Sequence, residues 1–551
     1  MIELSRRTVL TGAAAAATAL GSLGSLPVLG APNPPMPATV PLKEFLARAE
    51  DPALALNRGQ RELIVDQAIM LLEGMYTHLP LKRTMYGIDP VRRLKLLRQR
   101  LPRRDRHFHA EMTSIFDSLS DLHTRYGRPK PFEIAHAWLP FKVEVCFEGG
   151  IQKYIVSAVA NGFNHATFQK GVEVKYWSGI PIERAVEVSA AQCPGPTPEV
   201  RHALALARLT YRKLELVEPP DEEWVVVRYL AADGQERDIT LDWQVTDEDL
   251  AGSGNELAQI QEFRKFLFAP YNYDPDSVRE VERIRTGDGE FGYIRIFSFL
   301  TGDPEGFVDS LKGQIQSLQG TRGLIIDVRD SPGGVTRACE RTVQMIASGP
   351  IQPEPFYFIN SDLTLRLCRL GAPVASLGPN GLTDWISSIE RSSETGAVFS
   401  AAFPYTDPAV CNNIGRVYQA PVVVVTSART FSAAEIFAAG FQDHKGKILG
   451  VDDSTGGGGA NQRTHTALHG LFRAGAQTPT PEVAPFKTLP NNSELYIAFR
   501  RCQRVGPNVG LDIEDYGVAS DSRYKMTRND LLNHNEDLKK AAAAMLAQMQ
   551  P

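Results

Sequence analysis

The stretch Thr426–Asp443, TSARTFSAAEIFAAGFQD, follows the apolar run PVVVV, and its serine at position 432 admits two readings. As helix chemistry, Ser432-Ala433-Ala434-Glu435 is a capping box: Ser at the N-cap, Glu three residues on, then an apolar run. As enzyme chemistry, Ser432 is a hydroxyl at a strand-to-helix turn, beside the free N–H groups and positive dipole end of a helix. These residues alone leave both readings open.

A second turn of the same kind lies upstream. GLIIDV is a short apolar strand, and it runs into Asp327-Val-Arg-Asp-Ser-Pro-Gly-Gly334. Consecutive glycine amides can approach an anion closely. The Ala433 N–H from one turn and a Gly333 or Gly334 N–H from the other could therefore form an oxyanion hole.

Around these turns the text alternates. GYIRIFSF, GLIIDV, PVVVVTS and KILGV read as strands, and GFVDSLKGQIQSL, RACERTVQMIAS and AAEIFAAGFQD as helices. That alternation implies a sheet with helical crossovers. Residues 351–416 are rich in Pro, Ser and Asn and read as an irregular insertion; loops of that length usually serve as lids or binding loops.

Farther out the period changes twice. From Leu42 to Tyr126, LIVDQAIMLLEGMY and VRRLKLLRQRL repeat apolar residues at helical spacing. From Phe132 to Val245, FKVEVCF, KYIVSAV, VEVKYW, EWVVVRYL and DITLDWQV alternate as strands do, with the helical insert VRHALALARLTYRKL between the third and fourth. Paired arginines Arg6 and Arg7 precede an Ala/Gly/Leu run that ends near Gly30, and a Pro-rich linker follows. This is the layout of a twin-arginine export signal, cleaved rather than kept in the membrane, which implies a periplasmic or secreted bacterial protein. The domain expectation is a signal peptide over 1–30, a linker and helical domain over 31–131 and a β-rich domain over 132–247. An α/β core over 248–530 and a C-terminal helix over 531–551 complete it.

At 551 residues the chain needs several domains, and its net charge of −5, with no basic run interleaved with aromatics, argues against nucleic acid as a partner. Six cysteines show no zinc spacing; Cys368 and Cys411 flank the insertion and are the pair to test first for a disulfide. His107 and His109 diverge by about 200° on a helix, and His107 with Glu111 lacks a third ligand, so no metal is expected. No organic cofactor is implied.

In order, GYIRIFSF, GLIIDVRDSPGG, VVVVTSARTFSAAEIFAAGFQD, ILGVDDSTGGGGAN and IEDYGVASD resemble the carboxy-terminal processing (tail-specific) serine protease family. LSDLHTRY closes a helical domain, and HATFQKGVEVKYWSGIPIERA is a PDZ-like trace. The resemblance implies a multidomain α/β protein with a crotonase-like (ClpP/crotonase) catalytic core, an N-terminal helical domain and a PDZ-like β-rich domain. Many members pair the serine with a lysine, whose place here falls on or near Gly458; Lys445 and Lys447 lie about 20 Å away along the Ser432 helix. A Ser-His-Glu branch, which includes the chlamydial protease-like activity factor, instead has its histidine in a segment like Asp121–Tyr126 and its carboxylate in one like Ile513–Val518. The resemblance thus implies Ser432, His123 and Glu514 as catalytic residues. The tricorn variant would need a histidine where Arg295 stands.

Each residue has a structural alternative: a helix-end His123, a solvated Glu514, a capping Ser432. His465 is the spare base, and His444 adjoins the wrong end of the Ser432 helix. Pro140, in the loop Ala137–Phe141, has no N–H for a peptide carboxylate, so tail specificity is not carried over. The implied function is an exported serine endopeptidase acting on protein or peptide substrates, with no lasting membrane insertion and a homodimer allowed for. The alternative is a catalytically inactive member acting as a peptide- or ligand-binding protein.

Overall fold

The computed structural model describes residues 36–246, 263–267, 279–371, 381–474 and 485–549. The expected signal peptide lies outside the described residues. No helix among those described is long and apolar enough to cross a membrane.

The C-terminal half is built on a six-stranded sheet in the order Arg279–Thr286, Gly289–Ile296, Leu324–Asp327, Val422–Thr426, Lys447–Gly450, Ser522–Arg523. The first pair is antiparallel and the rest are parallel. Leu324–Asp327 and Val422–Thr426 are buried along their whole length, as parallel strands covered on both faces must be. They are neighbours, with Asp327 opposite Val425. Their carboxyl ends therefore deliver the two turns singled out above to one edge of the sheet, where α/β folds place their ligands.

A second sheet joins Phe403–Pro404, Pro355–Tyr357, Glu494–Cys502 and Ala460–Thr464, and the short strand Arg125–Gly127 pairs with Glu494–Cys502. The expectation of a crotonase-like (ClpP/crotonase) core is corrected. Alternating strands and helices were visible in the sequence, but alternation specifies neither the strand order nor this second sheet, which the 351–416 segment and the C-terminal third build together.

That insertion also departs from the expected irregular loop. It holds the helices Asp362–Gly371 and Thr383–Thr395, and its Trp385 is buried, with the indole N–H donating to Phe356 O at 2.9 Å. The apolar faces of these helices, Leu367 and Cys368 of the first and Trp385 and Ile389 of the second, pack into the core.

The helices Arg58–Gly74, Leu79–Tyr86, Pro90–Gln99 and Asp105–Asp117 form the N-terminal segment. Leu71, Leu94, Met112 and Phe116 belong to the same apolar cluster as Ile294, Ile326 and Val424 of the six-stranded sheet. The helical segment is thus packed directly onto the C-terminal half. The β-rich segment has its own core. Its sheet runs Glu236–Asp242, Trp224–Leu230, Glu173–Trp177, Ile151–Val159, Phe141–Glu148, with helices Ile182–Ala190 and Pro198–Arg208 beside it. All six cysteines are buried free thiols, so the Cys368–Cys411 pairing does not form.

Candidate active site

Ser432 begins the helix Ala433–Asp443 with φ 58° and ψ −126°, a region that costs a non-glycine residue of order 1–3 kcal/mol. Surrounding bonds hold it there. Phe431 N donates to Ser331 O at 2.9 Å, and Thr430 Oγ donates to Val328 O at 3.0 Å, so the two turns are tied together. Ser432 N donates to Glu435 Oε2 at 2.9 Å, the N3 side of the capping box. The Ser432 hydroxyl has another partner: Oγ lies 2.9 Å from His123 Nε2.

His123 reaches that position from 309 residues away through its local turn. Asp121 Oδ1 accepts from His123 N at 2.7 Å and Oδ2 from Thr124 Oγ at 2.8 Å, an Asx turn closed at both oxygens. Thr124 Oγ accepts from Ala498 N, and Gln462 Nε2 donates to His123 O at 2.8 Å. The strand that follows, Arg125–Gly127, joins the second sheet. The His123 ring is buried, and burial pushes it down to about 4, with Asp121 opposing and Lys82 adding to the fall. It is therefore neutral near pH 7, the state a base requires. Its Nδ1 has no hydrogen-bond partner among the described residues.

Glu514 is not in hydrogen-bond contact with that ring. Its carboxylate lies 2.8 Å from Lys82 Nζ and 3.6 Å from His78 Nε2, all three fully buried. Burial pushes Glu514 well above the carboxylate range, against the pull of Lys82. Lys82 also bonds Asp515 at 2.5 Å, and Tyr86 OH donates to Asp515 at 2.8 Å. Burial disfavours the lysine's charge, but these carboxylates outweigh it and hold the ammonium above its ordinary value. His78, Asp121 and Glu514 are the one group among the described residues whose ligand atoms lie within 4.8 Å of one another. Lys82 already supplies a cation there. The His107/His109 set assembles no metal ligands: His109 bonds Tyr126 OH at 2.8 Å and Glu111 pairs with Arg100.

The glycines meet the serine as the oxyanion reading requires. Gly333 has φ +91°, and a Cβ there would fall 2.6 Å from Ala433 N and 2.8 Å from Ser432 Cβ. None of the N–H groups of Gly333, Gly334 and Ala433 donates to another group among the described residues. Upstream, Asp327 anchors the turn: although burial raises it, Arg295 and Arg329 hold its carboxyl well below the usual range. Arg295, where the tricorn variant would have a histidine, bonds Asp327 at 2.5 Å.

The lysine's place is closed. A Cβ on Gly458 would fall 2.0 Å from the Phe431 ring, and that ring lies 4.5 Å from the His123 ring, centroid to centroid. The glycine run instead wraps Glu435, whose Oε1 accepts from Thr455 Oγ (2.6 Å) and Gly457 N (2.7 Å), and whose Oε2 accepts from Gly458 N at 2.8 Å. His465 bonds Gln67 at 2.8 Å, and His444 closes its own helix by bonding Gly440 O at 2.7 Å. Lys447 pairs with Asp521.

Residues 290–476 match the model of peptidase family S41. The chain carries an S41 peptidase domain. Residues 135–252 match a PDZ-domain model. This is a serine-type peptidase, and its S41 match contains Ser432 and the Gly333–Gly334 turn. No curated protein matches it in sequence. Among solved structures, mature CPAF, the chlamydial protease-like activity factor, is similar with a TM-score of 0.64 at 17% identity, covering 89% of this chain and 98% of that one. Mature CPAF complexed with lactacystin gives 0.63 at 17%, covering 90% and 99%. A serine-to-alanine CPAF mutant gives 0.62 at 16%, covering 90% and 98%. These matches overturn the crotonase-like assignment: the fold is that of an S41 peptidase of the CPAF type, with a PDZ-like domain.

Sequence reading missed Lys82, His78 and Phe431. Phe431 sits beside Ser432 in the quoted stretch, and nothing in its one-letter context says that its ring takes the lysine's space. Asp121, two residues before His123, carried a readable signal, since an aspartate there commonly closes an Asx turn.

Proposed function

We propose that this S41 peptidase is an exported bacterial endopeptidase in which Ser432 is the nucleophile and His123 the general base. The observation that carries the reading is the 2.9 Å contact between Ser432 Oγ and a neutral, buried His123 Nε2. A serine hydroxyl is a weak nucleophile without such a partner.

In the proposed cycle Oγ attacks the scissile carbonyl carbon and its proton passes to His123 Nε2. The carbonyl oxygen, now an anion, accepts from the N–H groups of Ala433 and of the Gly333–Gly334 turn. Collapse breaks the C–N bond; the leaving amine takes the proton from Nε2, and the acyl group stays on Ser432. Water then repeats the sequence with His123 as base and frees the carboxylic acid. Glu514 is assigned to the buried acidic cluster behind His123. No metal enters the cycle.

The PDZ-like domain supports internal cleavage over reading of chain ends. In its loop Leu139 N is committed to Thr210 O at 2.9 Å, and Pro140 has no N–H to offer a terminal carboxylate. The test is casein digestion by the mature protein beside Ser432→Ala and His123→Ala. Cleavage by the unmutated protein alone, with peptide products from inside the casein chains, supports the reading. Equal turnover by either variant refutes it, and no turnover by any protein favours the inactive binding member.

A further inference from the structure

Of the carboxylates packed around His123, Asp121 and Glu514 are differently employed. Glu514 faces Lys82 at 2.8 Å and does not touch the imidazole. Asp121 grips the histidine's own main chain at 2.7 Å, and its second oxygen holds Thr124. The titratable and charged groups packed around His123 are Asp121 on its own turn, His78 and Lys82 from the helical segment, Tyr76 just before them, and Glu514 and Asp515 from the acidic turn. Arg501 lies behind His78. Of these, Asp121 favours the charged imidazole and Lys82 opposes it.

We propose that Asp121 is a positioning residue for His123: it pins the imidazole's main chain opposite Ser432 and supplies the buried negative charge that stabilises the imidazolium formed during acyl transfer. The proposal rests on the reading of Ser432 and His123 as nucleophile and base. Asp121 touches no reacting atom. It acts through the ring, whose Nδ1 has no hydrogen-bond partner among the described residues. The other two carboxylates there are ion-paired: Lys82 lies within 2.8 Å of Glu514 and 2.5 Å of Asp515.

Asp121→Asn separates charge from shape, because an amide oxygen can still accept from His123 N. Two readouts apply. One is the pH dependence of fluorophosphonate labelling of the full chain; the other is an NMR titration of His123 in Ser432→Ala protein, which needs no activity. Asp121→Asn should lower the His123 midpoint by about one unit or more and slow labelling near neutral pH about tenfold. Lys82→Met, which removes the opposing cation, should move the midpoint the other way. Opposite shifts are an electrostatic signature that simple loss of structure does not produce.

An unmoved midpoint and labelling rate in Asp121→Asn would overturn the proposal. So would a fall in Glu514→Gln as large as that in Asp121→Asn. If Asp121→Asn does not fold, Lys82→Met decides: no upward shift overturns the proposal. If the unmutated protein takes no label at any pH, the nucleophile reading falls, and the NMR titrations still decide Asp121.

Discussion

Substituting Glu435 by glutamine should damage this site more than a one-atom change suggests. The carboxylate is fully buried and accepts four hydrogen bonds: Ser432 N and Gly458 N on one oxygen, Thr455 Oγ and Gly457 N on the other. Three of the partners are backbone N–H groups that can only donate, and Thr455 Oγ alone can turn to accept, so an amide NH2 faces two obligate donors in place of Oε2 and one in place of Oε1. One or two buried donors then lose their acceptor at about 1–3 kcal/mol each, so the loss is roughly 1–6 kcal/mol. Such a loss is a large fraction of a domain's stability.

The damage should also be local to the chemistry. That carboxylate joins Ser432 N directly to the Gly457–Gly458 loop, so the strained Ser432 conformation loses one of the bonds that brace it. The assay is urea unfolding of Glu435→Gln followed by near-ultraviolet dichroism, with fluorophosphonate labelling in parallel. A lower midpoint at unchanged slope, with labelling slowed at least tenfold, is expected. A destabilisation under about 0.5 kcal/mol, within the range of an ordinary surface change, with normal labelling would refute the reasoning.

Gly333→Ala should nearly abolish labelling, by about a hundredfold or more, because φ +91° disfavours a side chain and its Cβ would fall 2.6 Å from Ala433 N; labelling kinetics check it. Gly458→Lys should not create a working Ser–Lys dyad, since Phe431 fills the space beside it; a His123→Ala, Gly458→Lys double variant should remain unlabelled. Stability should fall on acidification. His123 and His465 are pushed down to about 4 and His109 to about 3 by burial, against an ordinary 6.5, and His78 is also held well below it. The unfolded chain therefore takes up protons first as pH drops below about 6.5. The stability those neutral rings contribute is full above that value and is lost progressively down to about 4 and below. Melting temperatures across that range check it, and an unchanged melting point would contradict the burial of these rings.

Local signals in the sequence carried much of the site. Two apolar strands each ending in a turn were enough to place Ser432 and the Gly333–Gly334 amides together, because adjacent parallel strands end at the same sheet edge. His123 was legible only through the family resemblance, since its approach to Ser432 depends on Arg125–Gly127 pairing with a strand near the C-terminus. The surroundings of Glu514 were not legible at all. Lys82 meets Asp515 across 433 residues, and its helix, Leu79–Tyr86, falls between the two helical repeats legible in the sequence. The 351–416 segment misled for a related reason: its helices are short, and the core their faces enter is shared with elements distant in sequence, Leu71 and Phe499 among them. Strand order, too, is a property of long-range pairing, which alternation along the chain does not encode.

The most direct test of the Ser432–His123 account is to react the mature protein with a fluorophosphonate and locate the adduct by peptide mass spectrometry, beside His123→Ala. The account predicts one adduct, on Ser432, formed at least a hundredfold more slowly without His123. An adduct on another residue, or equal labelling of Ser432 in His123→Ala, would contradict it.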